Sequence, residues 1–343
     1  MSSESQLVDE GAAKVLVAGA SGYAGALAAA LVWSHPGLEL TAVTARADAG
    51  TRLDELYPEH KVPMTLIELD IDLADEVDAA IVAYPHGASA PVVAELRGVG
   101  AVVVDLSADF RLRDLATYER WYGEHGAPEL LEGAVYGLPE LNRRRIAEAE
   151  LTANPGCYPT ASVLALAPLA EAGLIEDVII DAKSGVSGAG RGAAPEMEVV
   201  KSGDDSRPYG VAGHRHAPEI VQEIRGLGSS GAALTFVPHL LPFDQGELVS
   251  CYVRTTEPVE ADRLAGLYAD RYGAEPFVEV VPEPPGVADV RGTNLCHVHV
   301  HADEASGRVF TFAVIDNLWK GAASQAVQNL NLMLGLPEGE GIS

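Results

Sequence analysis

Residues 14–18 form a short apolar run that leads directly into Gly19-Ala20-Ser21-Gly22-Tyr23-Ala24-Gly25 and then into an Ala/Leu-rich stretch. The run reads as a strand buried on both faces, the glycines as a tight turn and the following stretch as a helix. In that order the three pieces let backbone approach a pyrophosphate at a helix N-terminus. Gly19, Ser21, Gly22, Tyr23 and Gly25 are therefore candidate cofactor ligands. The spacing is G-x-x-G-x-x-G, which departs from the commoner G-x-G-x-x-G, so the motif draws its weight from its place between strand and helix.

Apolar runs at 38–44, 79–83 and 101–105, with a helix over 88–97, extend the alternation into a doubly wound, Rossmann-type α/β domain. After the second strand, where NAD-specific enzymes carry an acidic residue, the chain reads Thr44-Ala45-Arg46. A guanidinium beside a hydroxyl suits a 2′-phosphate, which points to NADP(H); a solvated loop arginine is the alternative. Tyr84-Pro85-His86-Gly87 and Ser107-Ala108-Asp109-Phe110-Arg111 follow two further strands at the carboxyl edge, where such folds bind ligands. His86 reads equally as a ligand or a turn residue. Ser107 and Arg111 suit an anion, against the alternative of a plain Asp109/Arg111 surface pair.

Beyond residue 151 the pattern changes. Strands at 177–183, 233–240, 247–254, 277–281, 294–301 and 308–315 follow with few helices between them, which predicts an α+β second domain on a mixed, largely antiparallel sheet. An amphipathic helix is expected over 320–334. His297, His299 and His301 alternate along one strand face, which makes a ladder rather than a tetrahedral site, so no metal is expected. Cys251 and Cys296 read as core residues.

The 343 residues are enough for two cores, and a net charge of −27 argues against a phosphate-backbone partner. Three cysteines form an odd and sparse set, which indicates a reducing compartment. The N-terminus is polar and acidic, unlike a signal peptide, and no apolar run reaches membrane-spanning length. A cytoplasmic protein with no nucleic-acid or membrane partner is expected.

The chemistry gathers at Asn154-Pro155-Gly156-Cys157-Tyr158-Pro159-Thr160, where a Pro-Gly turn delivers a cysteine to the first turn of a helix running to about residue 172. Unpaired N–H groups and the helix dipole favour thiolate there, although a small buried cysteine would also suit a helix start. Ser184-Gly185-Val186-Ser187-Gly188-Ala189-Gly190-Arg191 is a Gly/Ser loop able to approach a ligand. Gly213-His214-Arg215-His216-Ala217-Pro218-Glu219 brings imidazoles and a carboxylate together. A cysteine with a His/Glu pair elsewhere in the chain suits covalent acyl chemistry.

These strings, with residues 105–111, 183–191, 213–220 and 316–322, resemble the N-acetyl-gamma-glutamyl-phosphate reductase family, relatives of aspartate-semialdehyde dehydrogenase. The resemblance spans about residues 14–336. It implies Cys157 as nucleophile, His214 as acid/base with His216 as rival, and Glu219 as the carboxylate supporting that histidine. It further implies Ser187, Gly188 and Asn317 near the cofactor. Asn154, Ser107, Arg111, Arg191 and His216 are expected toward the substrate, an acyl phosphate that NADPH reduces through a cysteine thioester. The implied domains are 14–156 with 317–336, an inserted catalytic and dimerisation domain at 157–316, and a flexible tail at 1–13. A homo-oligomer, a dimer of dimers, is implied as well. The rival readings are a reductase of a carrier-linked acyl phosphate, a weaker aspartyl-phosphate match, a cysteine hydrolase and an NADP-sensing regulator.

Overall fold

A computed structural model describes residues 11–70, 76–191, 203 and 205–342; residues 1–10 of the expected tail lie outside the described residues. The chain divides into two compact units, residues 1–155 with 322–343 and residues 156–321.

The first unit is built on β1 (Ala13–Ala18), β2 (Leu38–Thr44), β3 (Ala79–Val82), β4 (Val102–Asp105), β5 (Val135–Tyr136) and β6 (Leu151–Ala153). They form one sheet in the order β2-β1-β3-β4-β6-β5, with every pairing parallel. The helices of this unit are α1 (Tyr23–Ser34), α2 (Leu53–Leu56), α3 (Ser89–Gly98), α4 (Leu115–Tyr122) and α5 (Pro139–Ala147). β1 and β3 are buried along their length because helices cover both faces of a parallel sheet, which is why they read as continuous apolar runs. Leu16, Val82, Val93, Leu96 and Val103 form part of one core cluster, which includes residues of α3.

The second unit opens with α6 (Cys157–Glu171), buried at every residue from Tyr158 to Ala170. A helix apolar on all sides belongs inside a core, and here it packs on the sheet of this unit. The strands are β7 (Ile175–Ser184), β8 (Arg207–Pro208), β9 (Ala233–Leu240), β10 (Glu247–Thr255), β11 (Val278–Val280), β12 (Cys296–Asp303) and β13 (Arg308–Ile315). They are ordered β11-β12-β13-β10-β7-β9-β8, with β7/β9 and β11/β12 parallel and the other pairs antiparallel. α7 (Ala217–Leu227) and α8 (Ala261–Tyr272) pack beside α6. The α/β class with a second, mixed sheet is thus as the sequence indicates.

α9 (Ala323–Met333) belongs to the first unit and packs on α1, α5 and β4. The turn before it groups with the second unit, not with the helix. Asn317 explains this: its Oδ1 accepts from the Gly246 N–H at 2.7 Å and its Nδ2 donates to Ser187 Oγ at 3.0 Å.

Candidate active site

Cys157 is the first residue of α6, and the N-cap Gly156 has no side chain with which to cap the helix. Glu219 of α7 instead fixes the cap residue itself by accepting the Gly156 N–H at 3.0 Å. Thr160 fastens the turn from the other side, with its N–H and Oγ1 donating to the Gly156 carbonyl at 2.9 and 3.0 Å. Pro159 has no N–H, so the first-turn donors are those of Cys157 and Tyr158, at the end of the helix that stabilises negative charge. Cys157 is half-buried, whereas Cys251 and Cys296 are buried within strands. Burial pushes the Cys251 thiol up to about 12, as suits an unreactive core residue.

His214 lies among aromatic rings. Its imidazole meets Tyr158, Tyr209 and Phe236 at centroid distances of 5.8, 5.4 and 5.4 Å. That apolar packing, with the neighbouring Arg215 charge, lowers its pKa to about 4. Nδ1 accepts the His216 N–H at 3.1 Å, so the proton of the neutral ring sits on Nε2. The ring thus presents its Nε2–H as a donor when neutral. The His216 ring stacks edge-on against Tyr158 and His214, at 5.8 and 4.9 Å.

One buried carboxyl escaped the sequence reading. Glu247, the first residue of β10, has no solvent exposure. The signal was available, because strand alternation puts Glu247 on the same face as Val249, Cys251 and Val253, all buried. Neither of its carboxyl oxygens meets a hydrogen-bonding partner among the described residues, and burial, with the repulsion of Asp316, raises the carboxyl to about 8.

β7 delivers the Gly/Ser loop. Ser187 Oγ donates to the Asp244 carbonyl at 2.7 Å and receives Asn317 Nδ2. A Cβ at Gly185 would lie 2.5 Å from the Asp244 oxygen, and one at Gly188 3.1 Å from Ser184 Oγ. The turn carrying Asn317 is held by Asp316, whose carboxylate accepts from Gln245 Nε2 and from the N–H groups of Gly292, Leu318 and Trp319. A Cβ at Gly321 would come within 2.8 Å of the Cys157 Cβ, so the turn closes on the thiol. Arg191 is exposed at the end of the loop, next to residues 192–202, which lie outside the described residues.

In the first unit, the Gly19 and Ala20 N–H groups both donate to the Thr44 carbonyl at 2.9 Å. Gly19 has φ +82°, and a Cβ there would sit 2.7 Å from the Ala83 oxygen; a Cβ at Gly25 would sit 3.0 Å from the Ala20 Cα. These two glycines allow close packing, while a Cβ at Gly22 would meet only the Gly19 carbonyl oxygen, at 3.8 Å, and Gly22 caps a first turn with no acidic residue. The turn fits a phosphate group by that openness and polarity. Tyr57 supports the turn by donating to the Ser21 carbonyl at 2.7 Å, and its ring meets that of Tyr23 edge-on. Thr44 is buried with its hydroxyl on Tyr84 at 3.1 Å, whereas Arg46 is exposed with its guanidinium 5.4 Å from the centre of the Tyr84 ring.

Ser107, Arg111 and Asn154 come together, but as buried scaffolding. Ser107 Oγ donates to Asp105 at 2.6 Å, and Arg111 donates to the Leu106 and Asn154 carbonyls, each at 2.7 Å. Asn154 donates to the Ala322 carbonyl at 3.2 Å and accepts from Asn329 at 3.0 Å. Asp109 is no surface partner of Arg111: its carboxylate accepts from the Gly87 and Ala90 N–H groups and from Tyr118. His86 Nδ1 accepts the Ala108 N–H at 3.0 Å, which fits the turn reading.

The histidines of β12 lie in a row, with His297 beside Glu279 and the rings of His299 and His301 against Phe312 and Phe310. Among the described residues no group of three or more His, Cys, Asp or Glu side chains converges as a metal site.

This combination, a parallel-sheet unit with a glycine turn and a mixed-sheet unit with a helix-start cysteine, matches two family models. Residues 14–149 match the NAD-binding domain of semialdehyde dehydrogenase, and residues 157–317 match its dimerisation domain. Among curated relatives, N-acetyl-gamma-glutamyl-phosphate reductase of Pelotomaculum thermopropionicum is 46% identical, covering 97% of this chain and 98% of its own. The protein of that name from Geobacter sulfurreducens is also 46% identical, over 96% of this chain and 97% of its own. The chain belongs to the N-acetyl-gamma-glutamyl-phosphate reductases, within the semialdehyde dehydrogenase family of oxidoreductases. Solved structures share the fold. Aspartate semialdehyde dehydrogenase II from Vibrio cholerae, complexed with ASA, has a TM-score of 0.72 at 20% identity, covering 94% of this chain and 98% of its own. The Candida albicans aspartate semialdehyde dehydrogenase with NADP has a TM-score of 0.67 at 16% identity, with the same coverages.

Proposed function

We propose that the chain reduces N-acetyl-glutamyl 5-phosphate to N-acetyl-glutamate 5-semialdehyde and phosphate with NADPH, through a thioester on Cys157. The observation that carries the reading is the half-buried Cys157 thiol at the start of α6, beside a turn fixed by Glu219, in a chain 46% identical to relatives of that name.

The Cys157 thiolate, its proton already lost, attacks the acyl carbon and phosphate leaves with the carbon–oxygen bonding pair. The N–H groups of Cys157 and Tyr158 point where the oxyanion develops, and loss of such a donor costs about 100-fold or more in rate. His214 is proposed as the acid/base, with its Nε2–H donating to that oxyanion. When bound, the nicotinamide supplies hydride to the thioester carbon. The resulting oxyanion collapses and expels the Cys157 thiolate. Gly22 and the first turn of α1 would hold the pyrophosphate, and Arg46, the exposed cation after β2, would hold the 2′-phosphate that distinguishes NADP(H). Arg191 and His216 are proposed toward the substrate. Ser107, Arg111 and Asn154, also expected toward the substrate, are proposed to act by holding the loop and strand ends after β4 and β6.

A homo-oligomer goes with this reading. On the sheet face carrying Ile179, Tyr252, Phe310 and Phe312, Ile179 is 41% exposed, and a second copy laid there would bury it. Among the described residues no helix is long and apolar enough to cross a membrane, and cytoplasmic placement is proposed on the thiol chemistry.

The test is phosphate-dependent reduction of NADP with N-acetyl-glutamate semialdehyde, with aspartate semialdehyde alongside. Turnover with the acetylated compound, abolished by alkylating Cys157, supports the reading; absence of turnover with it rejects the substrate.

A further inference from the structure

The strand order β2-β1-β3 places the carboxyl end of β1, with its glycine turn, between the ends of β2 and β3. Tyr84, just beyond β3, reaches across that gap. Its hydroxyl meets Thr44 Oγ1 at the end of β2, 3.1 Å away, and its ring centre lies 5.4 Å from Arg46 Cζ. The backbone that carries it packs on the glycine turn: a Cβ at Gly19 would stand 2.7 Å from the Ala83 oxygen and 3.1 Å from the Tyr84 nitrogen.

Thr44 has no exposure and Tyr84 only 8%. The Thr44 hydroxyl, which the sequence sets beside a 2′-phosphate, is therefore committed to the tyrosine and acts through that ring. Thr44 is fixed from the other side as well, its carbonyl accepting the Gly19 and Ala20 N–H groups at 2.9 Å each. A buried tyrosine tied to so constrained a neighbour keeps its ring in one place. Arg46 is a different kind of group. It is exposed, and among the described residues its guanidinium meets no carboxylate. A long side chain loses rotamer freedom when it grips a ligand, which weakens binding. A ring beside the cation restricts that freedom beforehand, while the guanidinium N–H groups stay available to phosphate oxygens.

We propose that Tyr84 is a specificity-determining residue for the cofactor: its ring positions the Arg46 guanidinium for a 2′-phosphate. The inference rests on the proposed assignment of Arg46 to that phosphate. A free 2′-hydroxyl gains little from a prepared cation, so Tyr84 acts on the choice between NADP(H) and NAD(H) and not on dinucleotide binding at large. The turn after β3 then works in two directions. His86 secures it to the turn after β4 through the Ala108 N–H, and Tyr84 extends the opposite way to β2.

The test is a binding measurement on the whole chain without substrate. NADPH and NADH are titrated by fluorescence into wild type, Tyr84→Phe, Tyr84→Leu, Arg46→Ala and the double variant Arg46→Ala/Tyr84→Leu. Tyr84→Leu is expected to weaken NADPH about fivefold, the size of a cation–π contact near the surface, and to leave NADH within about twofold of wild type. Tyr84→Phe keeps the ring and is expected to hold NADPH within about twofold. In the Arg46→Ala background the Leu change is expected to weaken NADPH no further, because the two residues act as a unit. Equal weakening of both cofactors by Tyr84→Leu, an unchanged NADPH affinity, or the same loss with and without Arg46 each overturns the proposal. If Arg46→Ala weakens NADPH selectively and Tyr84→Leu does not, the phosphate assignment stands and the role of Tyr84 falls. If Arg46→Ala spares NADPH, the assignment falls and the role of Tyr84 with it. Should Tyr84→Leu not fold, NMR of the unliganded wild type decides. The Arg46 Nε–H signal, identified by its loss in Arg46→Ala, is expected upfield of other exposed arginines because of the Tyr84 ring, and an unshifted signal overturns the proposal.

Discussion

The Gly156 N–H donates to the Glu219 carboxylate at 3.0 Å, so the first turn of α7 fastens the cap that opens α6. Glu219 reaches the nucleophile through the backbone of its turn. Glu219→Ala leaves that buried N–H without its acceptor and is expected to cost about 1–3 kcal/mol. Glu219→Gln keeps an oxygen in place and is expected to retain most of the stability. Urea unfolding of the two variants separates these outcomes, and kcat is expected to follow the same order.

His214 ties stability to pH. Unfolded, its imidazole binds a proton near 6.5; folded, it does so only near 4. Between those values the unfolded chain holds the extra proton, so this group lowers stability as the pH falls from about 6.5 to about 4 and has no such effect above. The whole contribution is no more than about 3 kcal/mol. His214→Gln is expected to flatten that part of the melting-temperature profile. A variant that loses stability on acidification as steeply as wild type would show that the histidine titrates normally.

Cys157 alone among the cysteines is expected to react. Cys251 and Cys296 have no exposure, and Cys251 is held protonated by burial. Iodoacetamide on the native protein near neutral pH is expected to add one carbamidomethyl group, at Cys157, and to abolish turnover. Cys157→Ser is expected to lose nearly all turnover and to keep cofactor affinity, which fluorescence titration with NADPH measures.

Arg46 lies exposed near the Tyr84 ring at the end of β2, where the ribose of a dinucleotide would rest. Arg46→Ala is expected to raise the KM for NADPH by about tenfold or more, the loss of roughly one charged hydrogen bond, and to leave the KM for NADH within about twofold. Equal losses for the two cofactors would place the 2′-phosphate elsewhere.

What the sequence disclosed divides along physical lines. The strands of both sheets were legible because burial on two faces, or on one, leaves an apolar run or an alternation in the chain. The two-residue strands β5 and β8 and the three-residue β6 are too short for any period to develop and were not anticipated, and α7 and α8 were obscured by the crowd of strands around them. At the site, Cys157 announced itself through its Pro-Gly turn. Ser107, Arg111 and Asn154 have the right chemistry for an anion, but only the fold shows their polar atoms bonded to neighbouring carbonyls and side chains. The tautomer of His214 likewise depends on a backbone N–H two residues along, beyond the reach of composition or spacing.

The compact unit that begins with β1 is completed by α9, which follows 166 residues belonging to the other unit, 156–321. On the ribosome the interior of the glycine-turn unit therefore stays open until residues 323–333 emerge, while the intervening stretch is continuous and can close as soon as β13 is made. Synthesis order thus favours the thiol-bearing unit maturing first. Chaperone demand should then fall on the N-terminal sheet, whose α1 and β4 wait longest for cover.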